Sequence, residues 1–315
     1  MSFSSDLKIE LLDIIPKNIH CRYALLAGFM SINARLITTE IGTDFAVRVE
    51  SDEVEDFILK LIRMTTEIAD EDIVRENEKS HHRKLIIKEA DFEKELRPRL
   101  KLGSENNRVT VNDIITERSC CKKSYLRGAF LAGGSISNPE KSYHVEISVP
   151  TRTEAVKLQG ILNTFSPGAK VISRKDRFIV YIKDAETISN TFGIIGASKS
   201  MMEFENIRIL KDLRNSINRE VNCDTANMAK TANAAAKQID DINYCLSHIN
   251  PEDMPEALRE MAEVRLKYPY LSLKELGDKF TPPLGKSGIN HRLKKISDMA
   301  DKLRKSDGIL KEKKL

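Results

Sequence analysis

Two short runs rich in small residues, about one hundred positions apart, constrain this chain more than any other feature. Tyr23–Leu36 reads YALLAGFMSINARL and Tyr125–Ile136 reads YLRGAFLAGGSI, with Gly28 matching Gly128. Ala24 with Gly28, and Gly128 with Ala132, place small residues at i and i+4 on one helix face. Such a face lets two helix backbones come close, because no side chain stands between them.

The segments after the two runs repeat as well. Phe45, Val47 and Val49 alternate with polar residues as a strand does. A helix capped at Ser51-Asp52 then carries Val54, Phe57, Ile58, Leu61 and Ile62 at helical spacing. In the second copy Tyr143, Val145, Ile147 and Val149 alternate up to Pro150, and Thr151 with Glu154 predicts a capping box. The helix behind it carries Ala155, Leu158, Leu162 and Phe165, and a hairpin over Val171–Ile182 turns at Lys175-Asp176. The reading is a duplicated α+β domain of αββαββα order, with halves at 1–115 and 116–204.

From Glu205 onward the pattern is helical. A basic linker helix is expected over 205–223, with Leu210, Leu213, Ile217 and Val221 as its apolar stripe and a break at Cys223-Asp224. A second helix is expected over Thr225–His248, opening an all-α domain at 224–315. Within it, Ser272 and Glu275 predict a capped short helix through Phe280, and Thr281–Lys286 predicts a break. Ser287 then reads as the N-cap of a helix whose Ile289, Leu293, Ile296 and Ala300 form one stripe. The arrangement over 272–305 is that of a helix-turn-helix.

With that stripe buried, the basic and amide residues between its members turn outward. Charge supports a polyanionic partner: the net charge is +4, yet residues 272–315 hold 12 Lys and Arg against 6 Asp and Glu. Double-stranded DNA is the expected partner, contacted through Lys286, Ser287, Asn290, His291, Arg292, Lys294 and Lys295. Asn and Arg can pair with adenine and guanine edges, and Lys supplies phosphate charge. Arg214, Asn218 and Arg219 are expected as additional DNA contacts.

Other chemistries find little support. No apolar run approaches membrane-spanning length, the first residues lack a signal peptide, and the five cysteines form no CxxC pair, which suits a reducing cytoplasm. His81-His82 are expected in a solvated loop, and Cys120-Cys121 as half-buried packing. Gly133-Gly134-Ser135 falls short of a phosphate loop. No metal site, cofactor or small-molecule substrate is expected.

LLAGFMSINA (Leu25–Ala34) and LRGAFLAGG (Leu126–Gly134) resemble the LAGLIDADG motif of homing endonucleases. That family pairs two such helices under saddle-shaped sheets that lie over DNA, with an acidic residue near the end of each helix holding Mg²⁺. The matching places here are Asn33 and Gly133, which implies lost cleavage. CCKKSYLRGAFLAGGSI (Cys120–Ile136), RNSINREVNCDTANMAKTANAA (Arg214–Ala235) and LSLKELGDKFTPPLGKSGINHRLKKI (Leu271–Ile296) together resemble the WhiA family. That resemblance implies a degenerate LAGLIDADG domain joined to a helix-turn-helix. It also implies a regulator of transcription tied to sporulation, cell division or chromosome segregation, acting at the nucleoid. An active Mg²⁺-dependent endonuclease and a protein-binding division scaffold stand as the alternatives.

Overall fold

Ser2 caps α1 (Phe3–Leu12), its hydroxyl accepting from the Ser5 N–H at 3.2 Å, and α1 buries Leu7 and Leu11. α2 (Ile19–Asn33) is the first small-residue helix, and every residue from Ala24 to Ile32 in it is buried. It ends earlier than the apolar run suggests. β1 (Ala34–Thr39) begins at once, because Ile37, Thr38 and Thr39 are β-branched and the segment finds a partner strand. The computed structural model describes residues 2–40, 42–77 and 83–312, and side chains through Ser306; His81 and His82 lie outside the described residues.

β1 pairs antiparallel with β2 (Gly42–Val49), from Ala34 opposite Val47 to Thr39 opposite Gly42. α3 (Asp52–Arg63) comes next, capped by the Ser51 hydroxyl as expected, and buries Val54, Phe57, Ile58, Leu61 and Ile62. β3 (Ile73–Asn77) and β4 (Arg83–Ile87) extend the sheet. A short helical stretch, α4 (Glu89–Asp91), a π-turn (Phe92–Leu96) and α5 (Arg97–Leu100), leads to β5 (Leu102–Glu105) and β6 (Arg108–Val111). The strand order is β3-β4-β2-β1-β6-β5.

The second copy runs α6 (Ser119–Gly133), β7 (Gly134–Ile136), β8 (Val145–Val149), α7 (Arg152–Asn163), β9 (Lys170–Arg174), β10 (Arg177–Ile182) and α8 (Ala185–Ile195). Its order β7-β8-β10-β9 repeats β1-β2-β4-β3, so the β5–β6 hairpin is an addition to the first copy. Lys175 turns the β9–β10 hairpin with φ 54°.

α2 and α6 cross at their glycines. A Cβ on Gly28 would stand 2.2 Å from the Tyr125 carbonyl oxygen, and one on Gly128 would stand 2.0 Å from that of Leu25. The contact is reciprocal, as the duplication requires. Glu154 departs from its expected role at the start of α7. Thr151 accepts from the Glu154 N–H at 3.2 Å, but the Glu154 carboxylate turns into the core instead of closing the capping box. There it accepts from the Tyr125 hydroxyl at 2.6 Å and the Ser31 hydroxyl at 3.2 Å, which offset its desolvation.

α9 (Ser198–His248) is one helix of 51 residues, and the expected break at Cys223-Asp224 is absent. The chain divides into units at Met1–Leu213 and Arg214–Leu315, so α9 passes from one to the other. Its stripe of Leu210, Leu213, Ile217 and Val221 is exposed. The second unit packs α10 (Glu256–Lys267), α11 (Leu273–Gly277) and α12 (Lys286–Glu312) around Ile242, Met261, Leu276, Phe280, Ile289 and Leu293. Arg265 is buried, donating to Gln238 Oε1 at 2.9 and 2.7 Å and to the Leu271 carbonyl at 2.7 Å, which fixes α10 against α9.

Candidate nucleic-acid interfaces

The helix-turn-helix begins with a complete capping box: the Ser272 hydroxyl accepts from the Glu275 N–H, and Glu275 accepts from the Ser272 N–H at 2.8 Å. α11 stops at Gly277, and the chain folds back over it; the Leu284 N–H donates to the Gly277 carbonyl at 3.0 Å. A Cβ on Gly277 would meet the Leu284 oxygen at 2.0 Å, so glycine is required for this turn. α12 starts two residues earlier than expected. Gly285 stands in the N-cap position and its carbonyl accepts from the Ile289 N–H, which puts Ser287 within the first turn.

Ile289, Leu293, Ile296 and Ala300 are buried as the periodicity predicts. Lys286, Ser287, Asn290, His291, Lys294 and Lys295 are exposed. At about 100° per residue all but Lys286 spread over the face away from the stripe. Arg292 falls beside the stripe instead. Its Nη1 donates to the Ala257 carbonyl at 3.4 Å and lies 3.5 Å from Glu260 Oε2, and its guanidinium sits 5.5 Å from the Phe280 ring centre. Lys286 and Asn290 share a groove with Lys230 and Lys274. Arg214, Asn218 and Arg219 are exposed on α9, and Arg219 donates to the Asn215 carbonyl at 3.2 Å. Arg219 lies about 16 Å along the helix from Lys230, so these three stand apart from the groove.

A second basic surface lies where α2 and α6 end. Asn33 Nδ2 donates to the Ala132 carbonyl at 3.1 Å, which ties the end of one helix to the other. Gly133 has no room for a side chain, since a Cβ would meet the Ser148 oxygen at 2.4 Å. The recess beside Asn33, about 420 Å³, is lined by Arg35, Arg48, Lys84, Arg108 and Arg177, with no carboxylate among its described lining residues. Arg35 pairs across the strands with Arg108, and Arg48 with Lys84. Like charges directly opposite each other weaken a sheet unless they are compensated, and Lys84 is held by Glu76 at 3.0 Å. Arg177 donates to Ser148 Oγ at 2.7 Å and to the Ser148 carbonyl at 3.0 Å. Burial, then the charges of Arg108 and Arg48, push its guanidinium below its usual range. The residues carrying this surface were missed in the sequence. The available signal was the polar positions left over once Phe45, Val47 and Val49 had been assigned to the core.

The absence of metal-ligand spacing along the chain does not hold in space. His20, Cys21, Cys120 and Cys121 meet, with one donor atom from each lying within 4.8 Å of the others. His20 Nδ1 is 3.2 Å from Cys121 Sγ and 3.3 Å from Cys21 Sγ. Burial and the neighbouring thiols push Cys121 up to about 12. All five cysteines are free. Among the described residues no helix is long and apolar enough to cross a membrane.

These features agree with known proteins. The family model described as the WhiA LAGLIDADG-like domain matches residues 122–214, and that of the WhiA C-terminal HTH domain matches residues 217–300. The chain is 41% identical to a probable cell division protein WhiA of Lachnoclostridium phytofermentans, covering 96% of this chain and 100% of the relative. The chain belongs to the WhiA family. A WhiA relative from Clostridium tetani is 40% identical over 97% of this chain and 99% of its own length. The crystal structure of full-length DUF199/WhiA from Thermatoga maritima is similar at 26% identity and a TM-score of 0.57, covering 96% of this chain and 99% of that one. The fold is thus a WhiA LAGLIDADG-like α+β domain followed by a helical helix-turn-helix domain.

Proposed function

We propose that this chain is a non-enzymatic, sequence-specific DNA-binding protein that regulates transcription in the service of cell division, chromosome segregation or sporulation. The observation that carries the reading is the recess where the paired helices end. Five cationic side chains line it, and no carboxylate among its described lining residues is offered to a hard cation. Asn33 and Gly133 stand where LAGLIDADG nucleases carry their acids; the Asn33 amide is committed to Ala132, and Gly133 has no ligand atom. The recess suits phosphate contacts that position the protein without cleaving the duplex. The names of the L. phytofermentans and C. tetani relatives support the link to division.

Base reading falls to the outer face of α12, through Asn290, His291 and Lys294. Lys286, Lys295 and the free N–H groups around Ser287 hold phosphates. Arg214, Asn218 and Arg219 add phosphate contacts along α9. Arg292, held by Ala257 and Glu260, orients α12 on α10 rather than reading a base. The protein works in the cytoplasm at the nucleoid, with other transcription or division proteins as partners and no small-molecule substrate. Binding to sites selected from genomic DNA tests this. An Asn290→Ala/Lys294→Ala variant is expected to lose about 1–3 kcal/mol of discrimination at the selected site, and unchanged selectivity overturns the base-reading role. Incubation with Mg²⁺ and supercoiled DNA is expected to leave the DNA intact; nicking abolished by Asn33→Ala overturns the non-enzymatic reading.

A further inference from the structure

The pair His20-Cys21 lies eight and seven residues before Gly28, and Cys120-Cys121 lies eight and seven residues before Gly128. The two pairs are therefore equivalent positions of the duplication. They occupy the first turns of α2 and α6, and the helix crossing brings them face to face. We propose that His20, Cys21, Cys120 and Cys121 form a tetrahedral Zn²⁺ site that staples the two copies together.

The geometry is close to that of the occupied site. Zn–S bonds of about 2.3 Å and Zn–N bonds of about 2.0 Å set tetrahedral edges of about 3.5 Å between nitrogen and sulfur and about 3.8 Å between sulfurs. His20 Nδ1 already lies 3.2 and 3.3 Å from two sulfurs, and the largest of the donor separations is within 4.8 Å. The largest donor separation therefore exceeds a tetrahedral sulfur–sulfur edge by no more than about 1 Å. Three sulfurs and an imidazole select a soft or borderline ion and leave no open position, which is the composition of a structural zinc site. The first turn of each helix adds the positive end of its dipole, which favours thiolate. Cys120 is exposed and gives the ion a way in, whereas Cys21 and Cys121 are buried. On binding, the three thiols release their protons to solvent and the neutral imidazole donates its lone pair.

A disulfide explains the cluster less well, since it joins two sulfurs and leaves the imidazole packed against them without a role. The site lies at the opposite end of α2 from Asn33, about 20 Å away, so the ion takes no part at the recess.

Full-length protein purified under reducing, chelator-free conditions from zinc-supplied cells is expected to carry about one Zn²⁺ per chain. Replacement by Co²⁺ is expected to give the intense visible bands of a tetrahedral thiolate site. Cys120→Ser, at an exposed position that does not disturb packing, is expected to weaken Zn²⁺ at least about tenfold in competition with a chromogenic chelator. Cys223→Ser, at the other exposed cysteine, is expected to leave it unchanged. Substoichiometric zinc with free thiols and no tetrahedral Co²⁺ spectrum overturns the proposal. So does a Cys21–Cys121 disulfide as the resting state, or equal affinity in Cys120→Ser.

Discussion

Gly28 and Gly160 show how differently one residue type acts in this fold. A Cβ on Gly28 would press on the Tyr125 carbonyl, whereas one on Gly160 in α7 meets nothing within 4 Å. Gly28→Ala must push α2 and α6 apart and is expected to cost about 3 kcal/mol or more in chemical denaturation. Gly160→Ala is expected to stabilise by about 0.5–1 kcal/mol, because it removes only the entropy of a helical glycine. Similar effects for the two would mean that the helix crossing is looser than the geometry states. Glu154 makes a second residue-scale prediction. Burial holds its carboxyl above the usual range, against the pull of the Tyr125 hydrogen bond. The folded state therefore keeps this proton more tightly than the unfolded chain. Its contribution to stability is full below the unfolded value of about 4.3 and is lost as pH rises through the folded one. Denaturation midpoints measured from about pH 4 to about pH 7 should decline less steeply in Glu154→Gln than in the parent chain. An unaltered slope would assign the dependence to other groups.

Among the elements, α12 and α9 show what sequence periodicity can and cannot deliver. The buried stripe of α12 was legible because Ile289, Leu293, Ile296 and Ala300 keep helical spacing, and the capping box at Ser272 and Glu275 is a local pattern. The direction of Arg292 was not, since it depends on Ala257 and Glu260 from another helix. Arg292→Ala is accordingly expected to destabilise the helix-turn-helix by about 1 kcal/mol and to weaken DNA binding equally on all sequences. Relaxed preference at a single base pair would return it to base reading. α9 was misread at Cys223-Asp224 because Asn and Asp are weak helix formers. Yet no Gly or Pro occurs between Ser198 and His248, and each weak former costs only a fraction of a kcal/mol. The basic recess was hidden for a different reason: Arg35, Arg48, Lys84 and Arg108 come from four strands gathered by their pairing, and Arg177 reaches them from the sheet of the other copy. The same holds for His20-Cys21 and Cys120-Cys121, each an adjacent pair in its own copy but drawn together across about a hundred residues by the helix crossing.

For the whole molecule, both units offer cationic surfaces, so the salt dependence of DNA binding reports how many are used. In the full chain Arg108→Ala is expected to reduce the slope of log affinity against log salt by about 1. A slope identical to that of the parent chain would confine binding to the helix-turn-helix unit and remove the recess from the reading. The helix pair at the centre of the first unit also bears on how the protein is made. α2 is buried on every side from Ala24 to Ile32, and much of that cover is α6, a hundred residues later. At about 5–20 residues per second a ribosome takes about 5–20 s to travel from Gly28 to Gly128. Throughout that interval the emerging chain displays an apolar helix face whose partner has not yet been synthesised. The first copy therefore completes its fold only after the second has left the exit tunnel, and the nascent chain is at its most exposed to chaperones and to its neighbours on the same message during that wait.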